Sequence, residues 1–257
     1  MSAPEIIEDI AARLLGAERV LFITGAGISA DSGLPTYRGV GGLYEKAITD
    51  EGYAIEEALS GQMMAARPDI TWKYLLQIER NCRGAEPNIA HEFIAELEQT
   101  VSEVIVFTQN VDGLHVAAGS SNVIEIHGNL HHLRCTACSF RNDVETYAGL
   151  DDPPLCPRCA HPIRPDVVLF GEPLPYRALA ELEDAFDTPF DLVFSIGTSS
   201  LFPYIIEPVL WAHAEGTPTV EINPGETAVS HLVDFALKEG AASAMGRIRE
   251  ALQALRE

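Results

Sequence analysis

Four of the five cysteines fall as Cys135-x-x-Cys138 and Cys156-x-x-Cys159, with seventeen residues between the pairs. Two hairpin knuckles at that spacing converge on one tetrahedral ion, the pattern of a zinc ribbon. Four thiolates fill the coordination shell and leave no position for activated water, so the expected metal is one structural zinc. Cys82 ends a predicted helix and reads as a small packing residue, with no helix N-terminus or histidine nearby to activate it.

Gly25-Ala26-Gly27-Ile28-Ser29-Ala30 follows the apolar run Val20-Leu21-Phe22-Ile23 directly. Glycines there permit a tight turn and let backbone N–H groups approach a pyrophosphate at a helix N-terminus. The same turn can also form with no ligand at all. The acidic residue that would hold a ribose some twenty positions on has no strand-end candidate, since Glu45 and Asp50 lie in a helical stretch, and this disfavours an ordinary dehydrogenase. A second strand leads into Thr108-Gln109-Asn110-Val111-Asp112-Gly113-Leu114-His115, a dense group of amide, carboxylate and imidazole side chains. His115 reads first as a packing or capping residue. His127 follows Val123-Ile124-Glu125-Ile126 and precedes Gly128-Asn129, a strand end where an imidazole is either structural or a general base.

These groups need a scaffold. Residues 4–15 read as an amphipathic helix, and further strands are expected at 103–107, 123–126, 191–196 and 219–222, with helices at 90–99, 176–185 and 244–255. Alternating strands and helices give an α/β fold, a parallel sheet with helices on both faces and ligands at the strands' carboxyl ends. Two excursions, 43–87 (mostly helical) and 130–165 (polar, rich in Pro and Cys), are expected to form a small lobe of helical module and zinc ribbon. The large domain then takes 1–42, 88–129 and 166–257 within a single catalytic unit spanning 1–257.

The 257-residue chain is 47% hydrophobic and carries a formal charge of -21. That balance argues against nucleic acid, since phosphate contacts need clustered Lys and Arg, and suits a cationic peptide, although acidity can also serve solubility alone. The sequence has no apolar run of membrane-spanning length and no basic, apolar leader at its start, so a cytoplasmic protein without membrane attachment is expected. A monomer is compatible with these features.

GAGISADSGLPTYRG, TQNVDGLH, IHGN, the two cysteine pairs, RPDVVLFGE, GTS and EIN occur in one order. The chain resembles the sirtuin family, in its bacterial form, over nearly its whole length. The resemblance implies a Rossmann-like large domain and NAD-dependent deacylation of protein lysines, with NAD consumed and O-acyl-ADP-ribose, nicotinamide and free lysine released. It places Gly25, Ala26, Gly27, Ile28, Asp31, Tyr37, Arg38, Gln109, Asn110 and Asp112 in the NAD cleft. Gly197, Thr198, Ser199, Asn223 and Ala242 fall on its adenosine side. His127 becomes the base, Asp112 the binder of the nicotinamide carboxamide, and Asn110 the residue that orients ribose hydroxyls and water. Val168, Phe170, Gly171 and Glu172 match the strand that pairs with an acyl-lysine peptide.

Tyr37 stands where the family often has Phe. Members that prefer succinyl or malonyl groups resemble one another in a Tyr-x-x-Arg pair, which this chain lacks. The matching region, Met63-Met64-Ala65 through Trp72-Lys73-Tyr74-Leu75-Leu76, is apolar, so a neutral acyl group such as acetyl is expected, unless these residues are simply the small lobe's core. The same cleft could support protein mono-ADP-ribosylation or plain NAD hydrolysis. A module that only binds NAD or ADP-ribose fits less well with Asn110, Asp112 and His127 together.

Overall fold

The computed structural model describes residues 3–36 and 48–257. Along them run α1 (Ala3–Gly16), β1 (Arg19–Thr24), a 3-10 helix (Ala26–Ser32), α2 (Ile55–Ala58), α3 (Gly61–Ala66), α4 (Pro68–Cys82), α5 (Ile89–Leu97) and β2 (Glu103–Thr108). Then come α6 (Leu114–Ala117), β3 (Val123–Glu125), β4 (Gly128–Cys135), β5 (Arg141–Asp143), β6 (Ile163–Val167) and α7 (Tyr176–Ala185). The chain ends with β7 (Leu192–Ile196), α8 (Pro203–Glu215), β8 (Thr219–Ile222), β9 (Phe235–Leu237) and α9 (Ala241–Arg256).

Six strands in the order β3-β2-β1-β7-β8-β9 form one sheet, parallel throughout. The order reverses between β1 and β7, which makes their carboxyl ends the switch point where open α/β sheets bind ligands. Along β1, Val20 and Phe22 join a core with α1, α5 and α9, whereas Leu21 and Ile23 join a second core with α7 and α8. Successive side chains of a strand point to opposite faces, so one run of apolar residues holds helices on both sides. Phe22 stacks on Phe194 of β7 at 4.7 Å, and both are fully buried. Burying a side chain of that size stabilises by about 1.5–3 kcal/mol.

A second, antiparallel sheet of β5-β4-β6 shares a separate core with α2, α3 and α4. Trp72 donates its indole N–H to the Ile163 carbonyl (2.7 Å), and the buried Tyr147 hydroxyl donates to the Leu130 carbonyl (2.6 Å). Met63, Met64, Trp72, Tyr74 and Leu75 lie in this core. Their apolar character is therefore explained by packing and carries no information about the acyl group. β9 and α8 were not expected from the sequence: β9 has three residues, too few for a periodic signal, and α8 starts at Pro203 and contains Pro208.

Candidate active site

The turn after β1 is tied to the turn after β7. Gly25 N–H donates to the Ile196 carbonyl (3.0 Å), and Gly27 N–H donates to the Gly197 carbonyl (2.8 Å). A methyl group on Gly27 would lie 2.6 Å from Gly197 Cα, so this close approach requires glycine. The Ile28 side chain is buried in the core beneath the loop. At the end of the 3-10 helix, Asp31 Oδ2 accepts from the Ala242 N–H in the first turn of α9 (3.1 Å). Tyr37 and Arg38 lie outside the described residues.

β2 delivers the polar cluster to the same place. Gln109 Nε2 donates to Thr198 Oγ1 (2.8 Å), and Asn223 Nδ2 donates to the Thr198 carbonyl (3.0 Å), joining the ends of β2, β7 and β8. The Ser199 carbonyl accepts from Ala228 N–H (3.3 Å). Asn110 is buried and donates through Nδ2 to the Gly25 carbonyl and to Ser29 Oγ, each at 3.2 Å. Its Oδ1 is buried with no partner among protein groups. A buried acceptor left open costs stability unless something donates to it, which fits a site built for a hydroxyl-bearing ligand or a water.

Asp112 borders the same space, a cavity lined also by Ala26, Ser29, Leu34, Asn81, Cys82 and Asn110. Its carboxylate accepts from Ser29 Oγ (2.8 Å) and Leu114 N–H (3.0 Å). Burial nevertheless pushes its pKa above the usual range, outweighing those bonds. Cys82 is a wall of this cavity; burial and the neighbouring Asp112 raise its thiol to about 12, which keeps it protonated and unreactive. His115 is buried behind the cluster, with Nε2 2.9 Å from Thr24 Oγ1 and its ring edge-on to His91 at 4.9 Å.

His127 enters from the end of β3. Its Nδ1 lies 2.9 Å from the Gln109 carbonyl, an acceptor only, so Nδ1 carries the proton and Nε2 holds the lone pair. Nε2 is 2.8 Å from the Tyr204 hydroxyl. Burial lowers the pKa of His127, against an opposing pull from the Gln109 carbonyl. Gly128 follows at φ 78°, where an added Cβ would sit 1.9 Å from the Asp166 carbonyl, so the turn that aims His127 depends on glycine.

Val168 N–H donates to the His127 carbonyl (2.8 Å), linking the segment expected to pair with peptide to the turn that carries His127. Phe170 spends its N–H on Leu59 and its carbonyl on Gly61 N–H (3.0 and 3.1 Å). Gly171 has φ 79°. Glu172 turns inward and accepts both Arg164 Nη1 and Nη2 (2.5 and 2.9 Å) as well as Leu169 N–H (3.0 Å). Its pKa is pushed up by burial and pulled further down by Arg164 and Leu169, so the net shift is downward. Arg164 itself is buried and also holds the Val167 carbonyl (2.6 Å). Exchanging it for methionine (Arg164→Met) leaves the partly buried Glu172 carboxylate with only the Leu169 N–H, a loss of about 1.5–3 kcal/mol. Denaturant unfolding should show that loss, and in milder conditions the peptide KM should rise more than the NAD KM.

The sulfurs of Cys135, Cys138, Cys156 and Cys159 all lie within 4.8 Å of one another, with Cys135–Cys159 at 3.4 Å and Cys138–Cys156 at 3.6 Å. A tetrahedral ion with Zn–S bonds of about 2.3 Å needs sulfurs about 3.8 Å apart, so the cluster fits zinc. Ala137 N–H points at Cys135 Sγ (3.3 Å) and Arg158 N–H at Cys156 Sγ (3.4 Å), bonds that favour the thiolates. Elemental analysis should find one zinc per chain. Chelation should melt the lobe around β4–β6 and abolish activity, since structural zinc binding is itself folding free energy.

A model of the Sir2 family matches residues 25–202, a span from the glycine loop to the start of α8. The chain belongs to the Sir2 family. It is 48% identical over 241 residues to a protein named NAD-dependent protein deacylase 2 from Pseudomonas syringae pv. tomato, covering 93% of this chain and 97% of that protein. Among solved structures it matches a Sir2 homolog–NAD complex with TM-score 0.85 at 35% identity, covering 96% of this chain and 94% of that one. It also matches a Sir2 mutant bound to a deacetylated p53 peptide and 3′-O-acetyl-ADP-ribose, with TM-score 0.84 at 30% identity over 95% and 97% of the two chains. For a Sir2-family protein, sequence reasoning missed Ser29, Arg164 and Tyr204 as partners of site residues. Ser29 was the accessible one, adjoining the glycine loop; the other two pairings form only when the chain folds.

Proposed function

We propose that this chain is an NAD-dependent protein-lysine deacylase that acts on neutral acyl groups, acetyl first among them. The observation that carries this reading is that Asn110 and Asp112 line one cavity, both bonded to Ser29 Oγ and with Asn110 Oδ1 left open, while His127 is held by the carbonyl of the adjoining Gln109. Bound NAD supplies an electrophilic ribose carbon with nicotinamide as leaving group, and acyl-lysine supplies the attacking carbonyl oxygen.

Asp112 binds the carboxamide in the cavity beside Ser29 and Cys82. Asn110, through its open Oδ1, and Gln109 orient ribose hydroxyls, while Gly25 and Gly27, whose N–H groups are spent on the Ile196 and Gly197 carbonyls, shape the turn that lies against the phosphates. Thr198, Ser199, Asn223 and Ala242 hold the adenosine half, and Asp31 belongs to the NAD cleft; Tyr37 and Arg38, expected in the same cleft, lie outside the described residues. His127 accepts a ribose hydroxyl proton at Nε2, and Asn110 faces the developing charge. An acyl-lysine peptide pairs with the segment Val168 to Glu172; because Phe170 has spent both its main-chain groups and Glu172 its N–H on the Leu169 carbonyl, the Gly171 main chain and the Glu172 carbonyl carry that pairing.

The described residues contain no helix long and apolar enough to cross a membrane. A cytoplasmic protein that meets acyl-lysine proteins without nucleic acid is the fitting setting, the formal charge of -21 favouring cationic peptides. The chain divides into a large domain (1–42, 88–129, 166–257) and a small lobe (43–87, 130–165) with substrate between them, a reading supported by the core that α2–α4 share with β4 and β6. Mass spectrometry of peptide and nucleotide products tests the reading, with acetyl- and succinyl-lysine peptides compared. ADP-ribosylated protein, or free ADP-ribose with the peptide intact, would instead support the transferase or hydrolase alternative.

A further inference from the structure

The base is not free in this structure. Nδ1 of His127 donates to the Gln109 carbonyl, which leaves one lone pair on Nε2, and the Tyr204 hydroxyl lies 2.8 Å from it. An imidazole nitrogen with a single lone pair accepts one strong hydrogen bond at a time, so the phenol is the donor and the nitrogen is already engaged. The rings meet edge to face at 6.0 Å, and Phe202 stacks on Tyr204 at 5.5 Å and 12°.

Burial raises the Tyr204 phenol to about 12, which keeps the hydroxyl protonated and a donor throughout the neutral range. Its backbone sits in the first turn of α8, and Pro208 lies four residues on in the same helix. Proline has no N–H and crowds the carbonyl four residues earlier, here that of Tyr204. The turn that carries the phenol therefore lacks one rung of the helical ladder. Phe202, the stacking partner, is 42% exposed at the rim. The phenol is held by a hydrogen bond and a stack on a turn that can yield.

We infer that Tyr204 is a positioning residue that caps the base: its hydroxyl occupies Nε2 of His127 in the ligand-free protein and withdraws before that nitrogen receives a ribose proton. The inference rests on His127 being the base of a deacylase. In the transfer itself the proton passes from the ribose hydroxyl to Nε2, and Tyr204 keeps its own. The cap holds the imidazole neutral, in one tautomer and one orientation, until substrate arrives, and its release is a cost on the base-dependent step alone. Nicotinamide exchange precedes that step and does not draw on Nε2.

The test uses the zinc-loaded full chain and its Tyr204→Phe variant, which keeps the ring and removes the hydroxyl. Labelled-nicotinamide exchange and deacetylation of one acetyl-lysine peptide are measured side by side. The expected result is unchanged exchange with a deacetylation-to-exchange ratio that rises by up to about fivefold, the fold-change one ordinary net hydrogen bond represents. In a His127→Asn background the same substitution should leave the ratio unaltered. Phe202→Leu, which loosens the stack, should raise it by less, and serves if Tyr204→Phe does not fold. A ratio that stays the same or falls in Tyr204→Phe overturns the cap. A second readout is independent of activity: the His127 Nε2 nitrogen resonance of the ligand-free protein, assigned by its loss in His127→Asn, should move in Tyr204→Phe. An unmoved resonance also overturns the cap. A wild-type protein that does not deacetylate, but whose resonance moves, overturns the functional reading while keeping the hydrogen bond.

Discussion

Replacing His127 with asparagine should lower deacylation by about 10²–10⁴, the usual contribution of a positioned general base. Nicotinamide exchange should persist, because the imidazole takes its proton after nicotinamide has left. The variant also removes a titration. Burial depresses the His127 pKa from its ordinary 6.5, and the Gln109 carbonyl only partly restores it, so the imidazole is neutral at pH 7. The acidic limb of the wild-type kcat/KM profile should therefore lie below pH 6.5, with activity lost as pH falls through the depressed pKa. That limb should disappear in His127→Asn. Rates measured from pH 5 to 9 on both proteins check the two statements together.

Asp112→Asn should separate stability from activity. Burial raises the Asp112 pKa, so the folded state binds this proton more tightly than the unfolded chain does. The carboxylate's contribution to stability is therefore fully present below the unfolded pKa of 3.8, and is lost as pH rises through the folded value. Above pH 3.8 the upward shift therefore costs stability, and a neutral isostere that still bonds Ser29 should melt at higher temperature. The same change removes the carboxyl from the cavity beside Ser29 and Cys82, and on the proposed role for Asp112 NAD cleavage should fall about 10²-fold, as when one preorganised group is deleted from a polar site. Thermal melting and nicotinamide release, measured on one preparation, decide it. A variant that is both less stable and fully active would contradict this role for Asp112.

The pairs Cys135/Cys138 and Cys156/Cys159 were legible because metal chemistry demands short, fixed spacings. The glycine loop was legible because Gly27 meets the Gly197 backbone at a distance no side chain tolerates. Five strands of the parallel sheet, β1, β2, β3, β7 and β8, were visible as apolar runs. β9 was not, being three residues that become a strand only by pairing with β8. Sequence could name Asn110, Asp112 and His127 but not what fixes them, since Ser29 lies 83 residues from Asp112 and Tyr204 lies 77 from His127. The inward turn of Glu172 onto Arg164 was equally hidden: both residues belong to one quoted motif, yet nothing in their spacing says that the carboxylate faces the core. Pro203 and Pro208 concealed α8, and with it Tyr204, whose hydroxyl touches His127.

The most direct measurement is mass spectrometry of the purified protein incubated with NAD and an acetyl-lysine peptide. The predicted result is free lysine in the peptide with equimolar nicotinamide and O-acetyl-ADP-ribose, all lost in His127→Asn except nicotinamide exchange. NAD consumed to ADP-ribose while the peptide keeps its acetyl group would contradict the account.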